Sequence, residues 1–399
     1  MSLNDTPRAE RISIGIFGKR NSGKSSLINA LAGQDIAIVS QHAGTTADPV
    51  YKSIEIQGLG PCVLIDTAGY DDSGDLGELR VSKTKDAAAK TDIALIVIGD
   101  DAADEDLDWY NYFKNKKIPV LVVLNKIDLY DRNELKDKVK RIKDKFDANP
   151  ILASCKDKKG INTLLNDIAG NLPEDFNERT ITNNLAKEGD VVLLVMPQDI
   201  QAPKGRLILP QVQTIRELLD KKCVVVSCTA DTLKQTLDTL KNPPSLIITD
   251  SQVFKTVYEL TPKESKLTSF SVLFAGYKGD IKYFSESAAL LDSLNENAKI
   301  LIAEACTHVP MEEDIGRVKI PNMLRKRFGD KITITNVTGC DFPEDLETYD
   351  LIIHCGACMF NRRYVLQRVE KAKQKKVPMT NYGIVIAYLT GIQDKISME

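Results

Sequence analysis

The sequence predicts an α/β protein in three parts: an N-terminal phosphate-loop unit followed by two smaller parallel-sheet units. Three observations carry that expectation. Short apolar runs of strand length alternate with amphipathic stretches of helix length, the pattern of parallel sheets with crossover helices. At 399 residues the chain is longer than one core ordinarily serves. The strand–helix series also restarts twice, dividing the chain into 1–173, 174–265 and 266–399.

The first unit opens with the apolar strand Ile12 to Phe17. It runs into Gly18-Lys19-Arg20-Asn21-Ser22-Gly23-Lys24-Ser25, followed by a helix from Ser25 to about Leu31. This is G-x-x-x-x-G-K-S between a strand and a helix, where backbone N–H groups and the helix N-terminus favour phosphate oxygens. Gly18, Asn21, Ser22, Gly23, Lys24, Ser25 and Ser26 make up the expected cradle. Lys24 is expected to reach the β- and γ-phosphates and the Ser25 hydroxyl to ligate magnesium.

Further along, Gly44-Thr45-Thr46-Ala47-Asp48 stands where a loop can close over the γ-phosphate. Thr46, or else Thr45, would then complete the magnesium shell. The strand Cys62 to Ile65 delivers Asp66-Thr67-Ala68-Gly69. Asp66 is expected to hold magnesium through water, and the Gly69 N–H to sense the γ-phosphate. Lys24, Thr46, Asp66 and Gly69 are therefore the expected catalytic set. The strand Val120 to Leu124 ends at Asn125-Lys126-Ile127-Asp128. A carboxylate at Asp128 can accept two hydrogen bonds from guanine N1 and N2, which adenine cannot supply, so GTP is expected over ATP. Ser154-Cys155-Lys156, after the strand Ile151 to Ala153, supports the base.

With these motifs in order, the first unit resembles the TrmE–Era branch of translation-factor-like GTPases. The resemblance implies GTP hydrolysis to GDP and phosphate. Tyr70 follows Gly69 where Ras-like proteins carry the glutamine that orients water, so slow intrinsic hydrolysis is expected. Asn21 matches an asparagine of potassium-dependent members, which implies K+ as an activator. The acidic run Asp100 to Asp106 reads as the solvated start of the helix holding Trp109, and Asn133 to Asp147 as an exposed amphipathic helix.

Leu172 to Asn177 reads as a linker. The second series follows: strand Val191–Val195, helix Gln211–Asp220, strand Cys223–Val226, helix Thr232–Leu240 and strand Leu246–Ile248. It carries no catalytic constellation. Lys204-Gly205-Arg206 reads as a plain surface turn, and the unit as an interaction or dimerisation module.

The third series is expected through Leu267–Phe274, Lys299–Ala303, Ile332–Val337 and Leu351–Ile353. Its mark is Cys306-Thr307-His308 together with His354-Cys355-Gly356-Ala357-Cys358. The chain has three histidines and eight cysteines, and two of the histidines stand within two residues of a cysteine. Both patches follow short buried strands, so both fall at the sheet edge where sites form in α/β proteins. Cys355 and Cys358 have the spacing of one tight turn and can share a centre. Thiolates with optional imidazole suit zinc and iron–sulfur clusters alike, and spacing does not choose between them. Met359 and Tyr382 are candidates to line the site, and Arg362 and Arg363 to balance its charge. Cys62, Cys155, Cys223, Cys228 and Cys340 carry no ligand spacing with each other, and most read as core or strand residues.

The formal net charge of −3 argues against a general nucleic-acid surface. The N-terminus lacks the apolar core of a signal peptide, and no apolar run is long enough for a membrane helix. A reducing cytoplasm is the expected location, where clustered cysteines read as metal sites before disulfides.

Joined to such a GTPase domain, C-x-H…H-C-x-x-C resembles the FeFe-hydrogenase maturation GTPases, the HydF family, over the full chain. The resemblance implies a 4Fe–4S cluster on Cys306, Cys355 and Cys358, with the fourth iron position open or weakly ligated. His308 and His354 then serve as ligands or as supporting donors. It also implies a dimer through the middle unit, and a carrier that takes a di-iron precursor from radical-SAM maturases to apo FeFe-hydrogenase. Two other classes stand beside it. One is a GTPase with structural zinc acting in RNA modification or ribosome assembly. The other is an electron-transfer enzyme, for which neither a fourth well-placed cysteine nor a dinucleotide motif is present.

Overall fold

In a computed structural model of the chain, the described residues are 11–32, 50–56, 59–67, 69, 83–172, 179–197, 207–305, 314–339, 342–357 and 360–397. The chain divides into two compact units, Met1–Asn177 and Glu178–Glu399.

The described residues of the first unit form six strands: β1 Ile12–Phe17, β2 Val50–Ile56, β3 Gly60–Asp66, β4 Ile93–Ile98, β5 Val120–Leu124 and β6 Ile151–Leu152. Their order in the sheet is β2-β3-β1-β4-β5-β6, with only β2 antiparallel to its neighbour. β4 shows why the sheet is covered on both faces. All its residues are buried, and they alternate between two cores. Ile93, Leu95 and Val97 join Leu27, Leu31, Leu164 and Ile168 from the helices Lys24–Ala32 and Ile161–Gly170. Ala94, Ile96 and Ile98 join Tyr110, Phe113, Ile142 and Phe146 from Asp104–Asn115 and Arg132–Phe146. A strand buried on both sides reads as an unbroken apolar run, as this one does.

The acidic run before Trp109 opens the helix Asp104–Asn115, as expected, and it has partners. Lys138 reaches Asp100 and Asp101 at 2.7 and 3.2 Å, and Lys145 reaches Asp104 at 2.8 Å. Both lysines come from the charged helix Arg132–Phe146, which starts on an Asp131 cap that accepts from the Asn133 and Glu134 N–H groups.

The second unit contains two four-stranded, wholly parallel sheets. One has the order β10-β9-β7-β8, from β7 Val191–Val195, β8 Val224–Cys228, β9 Leu246–Thr249 and β10 Lys266–Ser269. The other has the order β12-β11-β13-β14, from β11 Lys299–Glu304, β12 Thr333–Thr338, β13 Leu351–His354 and β14 Met379–Asn381. One hydrophobic core serves both, with Leu193, Ile247 and Leu267 of the first sheet and Leu301, Ile352 and Met379 of the second.

Leu267–Phe274 departs from expectation. Its first residues form β10 and pair with β9, so they complete the second series rather than open the third. Phe270–Lys278 is a helix, capped by the Ser269 hydroxyl accepting from the Val272 N–H. The helix buries Phe270, Val272, Leu273, Phe274 and Ala275. A helix apolar nearly all round has no period that separates it from a buried strand. No helix among the described residues is long and apolar enough to cross a membrane.

Candidate functional site

The phosphate loop follows β1 directly and turns sharply. Gly23 sits at φ +94°, and a Cβ there would stand 2.2 Å from the Asn125 amide nitrogen, so only glycine fits. Asn21 also takes the left-handed conformation, at φ 61°. Lys24 is 7% exposed, and its ammonium donates to the Gly18 and Lys19 carbonyls at 2.8 Å each. It therefore lies inside the loop, where a phosphate oxygen can replace a carbonyl. Ser25 and Ser26 are exposed at the helix start.

The side expected to hold magnesium is formed by β3. Ser25 Oγ donates to Asp66 Oδ2 at 2.7 Å, so the two expected ligand-shell residues already face each other. Burial raises the Asp66 pKa, while the Ser25 hydroxyl and Lys24 pull it down. Thr67 ties the strand end to β1 through the Ile16 carbonyl at 2.6 Å. Gly69 is half-buried beside it. Thr46, with Thr45 and Tyr70, lies outside the described residues.

The residues expected to recognise the base come from the ends of β5 and β6. Asn125 is buried and donates from Nδ2 to the Ser22 carbonyl at 3.2 Å, joining base loop to phosphate loop. Its Oδ1 accepts from Cys155 Sγ at 3.2 Å. Lys126 donates to the Asn21 carbonyl at 2.6 Å. Ser154 Oγ donates to Asp128 Oδ1 at 2.7 Å, which holds that carboxyl below its ordinary pKa, with Lys156 adding to the effect. The carboxylate is thus charged, oriented and fully exposed, ready to accept from a base. The loop cluster can cradle a guanine nucleotide and one divalent cation.

The cysteine patch is built from adjacent parallel strands. β11 and β13 run in register with Ala303 opposite His354, so the chain leaves both strands at one sheet edge. Cys355 Sγ accepts from the Ala305 and Ala357 N–H groups at 3.1 and 3.4 Å. Two backbone donors on one sulfur favour a thiolate, the form that ligates metal. Ala357 takes a left-handed φ of 46°. Cys306, His308, Cys358 and Met359 lie outside the described residues. The donor chemistry that is described fits a thiolate-ligated centre.

His354 is fully buried at the end of β13. Its Nδ1 meets the Cys355 carbonyl at 2.6 Å and its Nε2 meets the Arg368 guanidinium at 3.1 Å. Arg368 can only donate, so Nε2 is the acceptor and Nδ1 carries the hydrogen. Burial and the Arg368 charge keep the ring neutral, lowering its pKa to about 3. Both ring nitrogens are therefore engaged by protein atoms.

Tyr382 lies beside this patch, donating to the buried Glu304 carboxylate at 3.2 Å, and burial with nearby Cys355 raises its pKa. Gly316 is what admits the pair, since a Cβ there would stand 2.0 Å from the Tyr382 hydroxyl oxygen. Arg317 meets the same carboxylate at 3.4 Å. Arg362 faces carbonyls of the preceding sheet module rather than solvent.

Sequence reasoning missed Arg368, Glu304 and Lys278. For Arg368 a signal existed. The helix Arg362–Gln374 buries Tyr364, Val365, Val369 and Ala372, and Arg368 falls on that same inward stripe. Among the remaining cysteines, Cys62 and Cys223 are buried, while Cys155 and Cys228 are partly exposed. Cys340 lies outside the described residues, as do Lys204 to Arg206.

Comparison with known proteins adds family identity to this geometry. Residues 181–279 match the family model of the hydrogen maturase F dimerization domain, and residues 282–398 that of the hydrogen maturase F tetramerization domain. Residues 13–126 match the 50S ribosome-binding GTPase model. GTPase Der of Wolinella succinogenes is 36% identical over 185 residues, 44% of this chain and 39% of that protein. The tRNA modification GTPase MnmE of Coxiella burnetii is 43% identical over 126 residues, 30% of this chain and 27% of its own. The chain thus spans well under half the length of these curated relatives. Among solved structures, Era of Aquifex aeolicus bound to GDP and aluminium fluoride matches with 22% identity and a TM-score of 0.35. That match covers 54% of this chain and 92% of Era. The N-terminal unit is a P-loop GTPase domain related to these proteins.

Proposed function

Because the chain belongs to the hydrogen maturase F family, we propose that it is a GTP-hydrolysing scaffold for FeFe-hydrogenase maturation. It holds a 4Fe–4S cluster on Cys306, Cys355 and Cys358, and it passes a di-iron precursor from radical-SAM maturases to apo FeFe-hydrogenase. The observation that carries the metal assignment is the amide cradle of Cys355 at the shared edge of β11 and β13. In this reading His354 supports the site and does not ligate, because its two nitrogens already serve Cys355 and Arg368. With His354 engaged, the three cysteines hold the cluster and the fourth position is open or weakly ligated, which suits attachment and release of an assembly unit.

In the GTPase domain, Lys24 steadies the β- and γ-phosphates, and Asp128 with Asn125 selects guanine. Ser25, Asp66 and Thr46 hold magnesium, which supplies charge neutralisation at the transferred phosphoryl group. Gly69 senses the γ-phosphate, and Asn21 would hold an activating K+. Hydrolysis then acts as a timed switch and leaves the cluster chemistry to the C-terminal unit.

The two C-terminal modules support self-association. β8 offers a route to it: it is the edge strand of its sheet, and Val224 on it is 55% exposed. The working compartment is a reducing cytoplasm. The test is a double dissociation. Lys24→Ala should abolish phosphate release and keep iron, while Cys355→Ser should lose iron and keep phosphate release. Loss of both activities together in either variant contradicts the division of labour.

A further inference from the structure

The chain on either side of Cys358 is tied to the preceding sheet module by two cations. Lys278 is the last residue of the helix Phe270–Lys278 and is 3% exposed. Its ammonium donates to the Ala357 carbonyl at 3.0 Å and the Phe360 carbonyl at 2.9 Å. Those carbonyls bracket Cys358 in sequence. A return connection comes from Arg362, the first residue of the next helix, whose Nη1 donates to the Tyr277 and Gly279 carbonyls at 3.0 Å each.

Each cation therefore crosses to the other element. The helix end that receives Arg362 is also its negative dipole end. That helix is anchored in the other sheet's core, where Phe270, Leu273 and Phe274 pack with Val192, Leu194 and Ile248. An ordinary lysine near a helix end keeps its head in water, because burying an ammonium is costly without fixed acceptors. Lys278 instead finds acceptors in the cysteine turn. Burial lowers the Arg362 pKa, opposed by Tyr277 and Asp280.

We propose that Lys278 and Arg362 are positioning residues that couple the self-association module to the metal-binding turn. The order of the turn, and the charge around the centre it holds, then depend on the helix of that module. The proposal rests on the reading of Cys355 and Cys358 as metal ligands.

The test compares the full-length wild type with Lys278→Met, Lys278→Arg and Arg362→Gln. Amide hydrogen exchange is measured before anaerobic iron–sulfur reconstitution, and EPR-monitored reductive titration after it. Without metal, exchange across residues 355–361 should quicken by about tenfold or more in Lys278→Met and Arg362→Gln, with Lys278→Arg close to wild type. After reconstitution, Lys278→Met should be harder to reduce than wild type, with altered EPR g-values, and Lys278→Arg should restore both. Unchanged exchange, or an unchanged potential and spectrum, in Lys278→Met and Arg362→Gln overturns the proposal. If Lys278→Met does not fold, Arg362→Gln carries the same comparison. A wild type that takes up no iron, yet whose turn loses protection in both variants, sinks the metal reading and leaves the clamp standing.

Discussion

The Arg368 guanidinium lies 3.1 Å from His354 Nε2, while His354 Nδ1 meets the carbonyl of Cys355 at 2.6 Å. One arginine thereby sets the tautomer of a buried histidine that in turn holds the cysteine backbone. Arg368 also donates to the Gly339 carbonyl at 2.6 Å and to the Tyr364 hydroxyl, and it lies over the Phe342 ring. Arg368→Met leaves these buried acceptors without their donor and should cost about 2–4 kcal/mol. Urea unfolding of the metal-free protein checks this, with Arg368→Lys expected to fall between wild type and Arg368→Met.

Guanine selection provides an independent check. Asp128 is presented as a charged acceptor by Ser154. Asp128→Asn turns one acceptor oxygen into a donor, opposing guanine N1–H and N2–H. Affinity for GTP should fall by about a hundredfold, and affinity for xanthosine triphosphate, whose C2 carries an oxygen, should rise. Competition binding with both nucleotides reads the exchange. Equal losses for the two would show that Asp128 acts on folding instead.

Cys62 tests the core of the GTPase domain through its chemistry. It is fully buried in β3, and burial pushes its thiol up to about 12. A raised pKa means the folded state keeps the proton over the window from the ordinary thiol value near 9.0 up to about 12. The associated stability is complete below pH 9 and lost as pH rises through that window. At pH 8 the thiolate fraction should be about a thousandfold below that of a free thiol. Iodoacetamide at pH 8 should therefore leave Cys62 unmodified in the native protein and label it in urea. Native labelling at the rate of the denatured chain contradicts the burial.

Val224 tests the sheet edge. A lysine on an edge strand opposes pairing with a second edge. Val224→Lys should weaken self-association about tenfold or more, read as a lower mass by sedimentation at micromolar protein. The sheet interior holds Val192 and Leu194, so helix and strand content should not change.

Much of this was legible in the sequence because local chemistry and tertiary role coincide there. β7 spans the expected Val191–Val195, since a doubly buried strand needs no period to be found. Gly23 and Lys24 are where the loop geometry requires them. Recognition broke down where burial overrides the residue's ordinary meaning. Phe270 to Phe274 are apolar except for Ser271, so helix and strand look alike. Lys278 and Arg368 are charged, and charged residues are ordinarily solvated. The buried stripe of its helix was the one hint for Arg368, which meets His354, and only the fold reveals that Lys278 points at the carbonyls of Ala357 and Phe360. The pairing of Tyr382 with Glu304 depends on Gly316, which is distant from both in sequence.

The central claim is the three-cysteine centre, and the most direct measurement is EPR of the dithionite-reduced protein after anaerobic iron–sulfur reconstitution. A three-cysteine centre gives a low-spin 4Fe–4S signal that changes when an exogenous ligand is added and is absent from Cys355→Ser. An EPR-silent protein that binds stoichiometric zinc, with zinc retained in that variant, would contradict it.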